Sequence, residues 1–280
     1  MKLVLSGGGL HGASILGALD YLKLDRITHY FGTSVGSIVS LLMNCGYGIR
    51  EVRSIFEDAR LVDGACPNFD INRLLMTYGI YNMKLMFDVI ENYVVDKIGF
   101  SPTLLELKRF TNVDLTITGT NVTEKRCEYF NHSTHPTMHV MDCVRISCAV
   151  PMLMESVRYN DSVYVDGGLL DNFPVRHACA ANPQSDVVTG ICICYKFPPA
   201  PVNSFIDFVR ELAMTCLVKV SDELVTCEAD VYSIKPLTFV QLHEYATLTA
   251  TTRATLFASL FEDGRLQAER MYLSKLVLNE

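Results

Sequence analysis

The apolar positions of the first fifty residues repeat one order twice, a short buried strand followed by an amphipathic helix. Val and Leu fill the segment from Lys2 to Ser6 and predict a first strand, and helical apolar spacing over 13–24 predicts a helix after it. Ile27 to Phe31 predicts a second strand, and the apolar run from Ser37 to Met43 predicts a second helix. Strands that alternate with helices predict an α/β fold with a mainly parallel sheet.

The same two spacings continue along the rest of the chain. Helices are predicted over 49–62, 82–97, 103–110 and 140–149. Strands are predicted over 114–122, 126–130, 163–165 and 186–195. A proline-rich connector at 197–201 precedes a predicted helix, short strand and largely helical tail over 204–220, 231–234 and 245–278. We therefore expect one globular unit, with a core over 1–196 and a mostly helical C-terminal extension over 197–280 packed on it.

Composition and charge narrow the partners of such a domain. With 280 residues, 49% hydrophobic and 20% charged, the chain is long and apolar enough for a large core. A net charge of −7 argues against nucleic acid and anionic membrane surfaces, so lipid contact would rely on apolar surface. The ten cysteines lack zinc or redox spacing and are expected to be buried free thiols. A strand beginning at Lys2 and no apolar run of membrane-span length predict a cytoplasmic protein.

A glycine-rich loop joins the first strand to the first helix. Gly7, Gly8 and Gly9 are adjacent, and Gly12 follows at the helix start. Without intervening side chains, backbone N–H groups can converge there on an anion. The spacing also fits a dinucleotide-binding loop, but the acidic residue expected after the next strand is absent, since Asp25 precedes that strand. An oxyanion hole formed by the N–H groups of Gly8 and Gly9 is favoured instead.

The second strand runs into Gly32-Thr33-Ser34-Val35-Gly36, after which the second helix begins. A Gly-x-Ser-x-Gly string between strand and helix is typical of a nucleophile elbow, in which glycines let neighbouring backbone approach a strained serine. The free N–H groups and the dipole of the helix then favour negative charge beside the serine. Ser34 is the predicted nucleophile, and the Val35 N–H is the predicted third oxyanion donor.

A nucleophilic serine needs a base, and the chain offers two kinds. A short apolar strand delivers Asp166-Gly167-Gly168, and a carboxylate at the C-terminal edge of a sheet lies where active sites gather. Burial would raise the pKa of this carboxyl above its reference value of about 3.9 and make it a better proton acceptor. The alternative is a triad in the order Ser, Asp, His, with His177 or His243 as the base.

Four motifs, taken in order, resemble those of the patatin-like phospholipase family. They are the loop Gly7 to Gly12, the elbow Gly32 to Gly36, the segment Ser147 to Pro151, and Asp166-Gly167-Gly168 with the Asn-x-Pro turn that follows. The resemblance implies a three-layer α/β/α fold, hydrolysis of lipid acyl esters, a serine–aspartate dyad without histidine, and no metal or cofactor. The family usually has arginine or lysine at the position of His11, so any oxyanion support from that side chain is open.

The resemblance also implies the partners of the protein. The substrate would be a phospholipid or another acyl-ester lipid, cleaved through an acyl-enzyme at a lipid or membrane interface. The wide apolar surface over 82–97 is explained by core packing, or alternatively by a methionine-rich acyl-chain wall or a lid that meets lipid. His132, His135 and His139 surround a proline and are interpreted as solvated loop residues instead of metal ligands. A non-catalytic lipid or nucleotide carrier on a related fold is the alternative function.

Overall fold

The computed structural model of the chain describes residues 1–63, 71–181, 187–194, 201–204, 207–208, 211–212, 215, 229–236, 245 and 247–278. Within these ranges, eight strands form one sheet and two short strands form another. The strands are β1 (Lys2–Leu5), β2 (His29–Gly32), β3 (Gly79–Tyr81), β4 (Asp114–Asn121), β5 (Arg126–Phe130), β6 (Met152–Met154), β7 (Val157–Tyr159), β8 (Ser162–Asp166), β9 (Val188–Ile193) and β10 (Asp230–Ile234).

Ten α-helices have both ends within the same described ranges, and local chemistry sets several of these ends. They are α1 (Gly12–Leu22), α2 (Val35–Asn44), α3 (Ile49–Phe56), α4 (Ala59–Asp63), α5 (Ile71–Thr77), α6 (Lys84–Ile98), α7 (Leu104–Thr111), α8 (Val140–Ser147), α9 (Val175–Ala180) and α10 (Ala250–Leu278). A capping box between Thr103 and Glu106 begins α7, and Gly99 ends α6 with a φ of 92°.

The large sheet has the order β10-β9-β1-β2-β4-β8-β7, with β5 also paired to β4. Strands β10, β9, β1, β2 and β4 are mutually parallel, whereas β5 and β8 are antiparallel to β4 and β7 is antiparallel to β8. The predicted α/β fold with a mainly parallel central sheet is therefore confirmed.

The register along β4 explains how the ends of β2 and β8 meet. β2 runs parallel to β4 and ends with Gly32 opposite Ile117, while β8 runs the other way and ends with Asp166 opposite Gly119. Because β5 pairs with residues 117–121 on one edge of β4, β2 and β8 must share its other edge. The positions of β4 that pair with Gly32 and Asp166 are two residues apart, which is roughly 7 Å along the strand.

The two faces of the sheet carry two cores of different size. Leu3 and Leu5 point into the larger core, which is covered mainly by α1, α2, α6, α8 and α10. Val4 and Phe31 point the other way and pack on Val175 and other side chains of the α9 region. Because strand side chains alternate between faces, the near-continuous apolar sequence of β1 fills both cores. The result is the three-layer α/β/α arrangement.

The structure differs from the sequence-based elements in three places. The helix predicted over 49–62 is two helices, because the Asp58 carboxylate accepts the Arg60 N–H at 3.0 Å and starts α4 anew. Strands β3, β6 and β7 were not predicted, since three residues are too few to display alternation. The connector predicted at 197–201 and the helix at 204–220 lie largely outside the described residues.

The C-terminal part of the chain contributes to the same body. β10 pairs in parallel with β9 at the edge of the sheet, and α10 crosses α1 closely. A Cβ added at Gly17 would lie 1.8 Å from the Phe261 carbonyl oxygen, and one added at Gly264 would lie 2.0 Å from that of Ser14. The two glycines thus permit backbone contact at the crossing. Across the described ranges, every helix is too short or too polar to traverse a bilayer.

Candidate active site

Ser34 occupies a strained position at the turn from β2 into α2. It precedes the first residue of α2 and has φ 52° and ψ −126°. A non-glycine residue with positive φ costs on the order of 1–3 kcal/mol and is held only by its surroundings. The predicted nucleophile elbow has the backbone geometry that the Gly-x-Ser-x-Gly string indicated.

The elbow glycines let three pieces of backbone pass within contact distance. A Cβ on Gly36 would lie 2.5 Å from the carbonyl oxygens of both Leu5 and Ser6 at the end of β1. A Cβ on Gly32 would lie 2.6 Å from the carbonyl oxygen of Gly36 itself. Alanine at Gly36 would push the turn away from the end of β1, and alanine at Gly32 would push the end of β2 away from the start of α2.

Two serine hydroxyls hold the backbone of Ser34 in place. The Ser34 N–H donates to Ser147 Oγ at 2.9 Å, and Ser37 Oγ donates to the Ser34 carbonyl oxygen at 2.6 Å. Both hydroxyls are buried, so the two bonds are protected from water. The family resemblance includes the segment from Ser147 to Pro151 but assigns no role to Ser147. In the sequence, this role was indicated only by the presence of a polar residue at an otherwise apolar helix end.

Asp166 is buried at the end of β8 and faces Ser34. Its Oδ1 accepts the Gly168 N–H at 2.7 Å, and its own N–H donates to the Ala149 carbonyl oxygen at 2.7 Å. Burial raises the pKa of the Asp166 carboxyl to about 7, against the opposing effects of the Gly168 bond and of hydrogen bonding with the Ser34 side chain. The structure thus brings the predicted nucleophile and the predicted base together.

The glycine loop passes directly beside this pair. A Cβ on Gly7 would lie 3.1 Å from Ser34 Cβ and 2.3 Å from Asn172 Oδ1, so only glycine fits between these two side chains. Gly9 has a φ of 53° and is exposed, with nothing within 4 Å of an added Cβ. The loop therefore packs against Ser34 at Gly7 and is open to solvent at Gly9.

The predicted oxyanion donors belong to the two segments that adjoin Ser34. Gly8 and Gly9 follow Gly7 in the loop, and Val35 is the first residue of α2. Because the first N–H groups of a helix have no intrahelical acceptor, the Val35 N–H is open to an external oxygen. The positive end of the α2 dipole acts in the same direction. Gly12, the last glycine of the motif, leaves room for the Val35 side chain, since a Cβ there would lie 2.6 Å from Val35 Cγ2.

The loop after Asp166 is tied to both other motifs. The Gly7 N–H donates to the Asn172 carbonyl oxygen at 3.1 Å, and Thr33 Oγ1 donates to the Asp171 carbonyl oxygen at 3.2 Å. The Asp171 carboxylate in turn accepts the Tyr129 hydroxyl at 2.7 Å. Gly167 lets this loop approach β4, since a Cβ there would lie 2.4 Å from the Thr118 carbonyl oxygen. These ties make the three motifs one connected unit.

Cys148 is a further residue at the site that sequence reasoning did not single out. Its Sγ lies 4.0 Å from Ser37 Oγ, and its thiol interacts with Asp166 and Ser34. Burial and the nearby Asp166 charge raise the pKa of this thiol, so the sulfur stays protonated and is no nucleophile. The seven cysteines in the described ranges are all free thiols, as the sequence predicted, but three are buried and four are partly buried.

Of the two histidines weighed as a base, one can be located. The His177 ring stacks on Tyr129 with centroids 3.7 Å apart and meets Phe31 edge-on. In the described part of the chain it makes no hydrogen bond to Ser34 or Asp166, and burial lowers its pKa. His243 lies outside the described residues.

The remaining histidines are not arranged around a metal. His11 is buried beneath the glycine loop. His132 Nδ1 lies 3.1 Å from Asp114 and His135 Nε2 lies 4.0 Å from Glu128, so both are half-buried beside carboxylates instead of fully solvated. No group of three or more His, Cys, Asp or Glu side chains suited to a metal occurs in the ranges that the structure describes.

Solved structures with a similar fold come from two bacterial proteins. VipD from Legionella pneumophila matches with a TM-score of 0.54 at 17% identity, over 98% of this chain and 66% of that chain. ExoU in its complex with SpcU, from the type III secretion system of Pseudomonas aeruginosa, matches with a TM-score of 0.52 at 16% identity, over 99% and 52%. At these identities the likeness concerns the fold alone.

Curated relatives share more sequence with the chain. "Probable lipid hydrolase 463L" of Invertebrate iridescent virus 6 is 29% identical over 177 residues, 62% of this chain and 61% of that protein. "Uncharacterized protein R571" of Acanthamoeba polyphaga mimivirus is 29% identical over 233 residues, 76% and 75% of the two chains. "Lysophospholipase NTE1" of Yarrowia lipolytica is 29% identical over 178 residues, 62% of this chain but 11% of that protein.

A family profile covers the part of the chain that builds the site. The profile described as "Patatin-like phospholipase" matches residues 3–179. This range is more than half of the chain and contains all four motifs, from the glycine loop to the Asn-x-Pro turn. The chain therefore belongs to the patatin-like phospholipase family.

Proposed function

We propose that the protein is a lipid acyl hydrolase of phospholipase A type that cleaves fatty-acyl esters through a Ser34–Asp166 dyad. The observation that carries the proposal is the buried Asp166 carboxyl, which hydrogen-bonds with the Ser34 side chain and has a pKa near 7. A base with this pKa is partly ionised at neutral pH and strong enough to accept a serine proton. The lipid hydrolase and lysophospholipase names of the relatives agree with this reaction class.

The reaction proceeds in two steps on the same groups. Ser34 Oγ attacks the ester carbonyl carbon while its proton moves to the Asp166 carboxylate, and the N–H groups of Gly8, Gly9 and Val35 hold the oxyanion. Collapse of this intermediate breaks the ester bond, and the leaving alcohol takes the proton from Asp166. Water then gives a proton to Asp166 and attacks the acyl carbonyl carbon. Collapse of this second intermediate breaks the bond to Ser34 Oγ, which takes the proton back from Asp166, and the fatty acid is released.

The site also accounts for a dyad without histidine. Asp166 reaches Ser34 directly because β8 ends opposite the end of β2, so no relay is needed to span a gap. The ring of His177, the alternative base, stacks on the Tyr129 ring. The substrate class follows as a phospholipid or another acyl-ester lipid, presented at a lipid surface that the protein contacts peripherally, with no cofactor required.

Covalent labelling with a fluorophosphonate tests the proposal. We expect one adduct, mapped by mass spectrometry to Ser34, and loss of both labelling and ester hydrolysis in Ser34→Ala and Asp166→Asn. His177→Ala and His243→Ala serve as matched histidine variants and should retain activity. A non-catalytic carrier predicts no labelling at all, and a triad predicts loss in one histidine variant. An adduct on another serine would refute the assignment of Ser34.

A further inference from the structure

A group of large apolar side chains is exposed between α5 and α6. Leu75 and Met76 in the last turn of α5 are 69% and 78% exposed, Tyr78 after it is 50% exposed, and Leu85 in the first turn of α6 is 64% exposed. On α6 itself, Phe87 and Ile90 are buried in the core, and Met86 and Val89 pack against the core while partly buried. Core packing thus accounts for these side chains of α6 but not for Leu85. We term Leu85 and the three exposed residues at the end of α5 the apolar rim.

The apolar rim is fixed to the segment that leads out of the active site. β3 pairs with β6, with Gly79 opposite Met152, and the Ser156 N–H donates to the Thr77 carbonyl oxygen at 3.0 Å. β6 begins four residues after Cys148, whose thiol interacts with Ser34 and Asp166. Four residues span at most about 14 Å and paired strands lie about 5 Å apart, so Gly79 lies within roughly 20 Å of Cys148.

The charges around the apolar rim nearly cancel. Arg73 pairs with Glu155 at 3.6 Å and Lys84 pairs with Asp88 at 2.5 Å. Arg158 lies over the Tyr78 ring at 5.8 Å from its centroid. An aromatic ring with a polar tip and an arginine beside it suits the boundary between hydrocarbon and water. The whole chain carries a net charge of −7, so anionic headgroups gain nothing from it.

We propose that the apolar rim inserts into the surface of a zwitterionic phospholipid bilayer and so brings the Ser34 site to its substrate. This inference rests on the proposed function, because a bilayer is the form in which phospholipid substrate reaches the enzyme. Large exposed apolar side chains grouped on successive elements mark an interaction surface, and their binding to a bilayer depends on apolar area when charge attraction is absent. Binding is therefore driven by Leu75, Met76, Tyr78 and Leu85 and is indifferent to lipid charge.

Flotation of the full chain with phosphatidylcholine vesicles tests the rim directly. The double variant Leu75→Ser/Met76→Ser should lower vesicle partitioning by about tenfold or more, since two large side chains lose their apolar burial. Hydrolysis of vesicle phospholipid should fall in parallel, while hydrolysis of a monomeric short-chain ester stays within about twofold of the unchanged protein. The control Leu273→Ser/Val277→Ser removes two apolar residues that are 51% and 74% exposed on α10. It should change neither the vesicle partitioning nor the rate of hydrolysis of either substrate.

Further arms of the experiment separate this inference from its rivals. Adding phosphatidylserine to the vesicles should not increase binding. A requirement for the anionic lipid, equal losses in the control variant, or undiminished partitioning of Leu75→Ser/Met76→Ser would overturn the proposal. A change of oligomeric state as the sole effect would assign the rim to contact between two copies. If the monomeric ester is never hydrolysed, the proposed function fails, while vesicle partitioning still decides the rim.

Discussion

Folding and the proposed catalysis favour different protonation states of Asp166. Burial favours the neutral acid and raises its pKa to about 7, well above the value of an exposed carboxyl. The folded chain therefore holds this proton more tightly than the unfolded chain, so the stability that Asp166 contributes is present at acidic pH and lost as pH rises through about 7. The ionised carboxylate, which the proposed reaction requires as its base, accumulates in that same pH interval.

The activity is accordingly expected to rise with pH across neutrality. With a neutral short-chain ester, kcat/KM should increase with a single apparent pKa near 7, because only the ionised carboxylate accepts the Ser34 proton. Circular dichroism over the same range checks that the protein stays folded at the acidic end. A rate that is constant between pH 5 and 8, with the fold intact, would contradict the role given to Asp166.

Ser147 is expected to act by positioning the nucleophile. In Ser147→Ala the Ser34 N–H loses its acceptor at the strained turn, so kcat should fall about 10- to 100-fold with KM little changed. The matched control is Ser40→Ala on α2, since the Ser40 hydroxyl is buried and has no hydrogen-bond partner in the described part of the chain. Equal kinetics in the two variants would show that the bond to Ser147 is dispensable.

At the scale of elements, the turn between β2 and α2 depends on backbone contact with β1. Gly36→Ala would place a methyl group 2.5 Å from two carbonyl oxygens, so the elbow must move. We expect a loss of about 2 kcal/mol or more in the free energy of unfolding and loss of ester hydrolysis. Gly48→Ala at the start of α3 is the control, because its Cβ would meet only Glu51 Oε2 at 3.4 Å. Urea unfolding and an ester assay compare the two, and a fully active Gly36→Ala would count against the elbow.

Sequence reasoning reached the motifs but not the way in which strands bring them together. The elbow and the glycine loop are local, so spacing alone predicted the strained Ser34 and the turn after β1. The position of Asp166 depends on β8 running antiparallel to β4, a pairing between residues far apart in sequence that no local pattern encodes. Ser147 and Asn172 lie in motifs that the sequence indicated, but their contacts were not predicted for the same reason, since each meets its partner only across elements.

At the scale of the whole molecule, the C-terminal helix depends on its crossing with α1. The division at 196/197 into core and extension is a proposal, and the described residues of the second part supply both the edge strand β10 and the helix α10. Gly17 and Gly264 let the two helices touch through their backbones. Small residues at such a crossing make the interface sensitive to a single added side chain.

Gly264→Val is therefore expected to separate α10 from α1. The added side chain would begin 2.0 Å from the Ser14 carbonyl oxygen, so Tm should fall by several degrees and limited proteolysis should release the C-terminal segment sooner. Ala258→Val, at an exposed position of the same helix, introduces the same residue without a close backbone neighbour. If both variants melt and digest alike, the crossing contributes nothing particular to stability.

The shared edge of β4 has a consequence for how the enzyme can diversify. β2 and β8 run in opposite directions and pair with the same edge of β4. The separation of Ser34 and Asp166 is therefore set by the number of β4 residues between the two pairings and not by the length of any loop. Insertions in the connections that leave this ladder, including the hairpin bend at Asn160, leave the count unchanged. In the proposed hydrolase, new lipid preferences can therefore arise in these connections while the separation of Ser34 and Asp166 is kept.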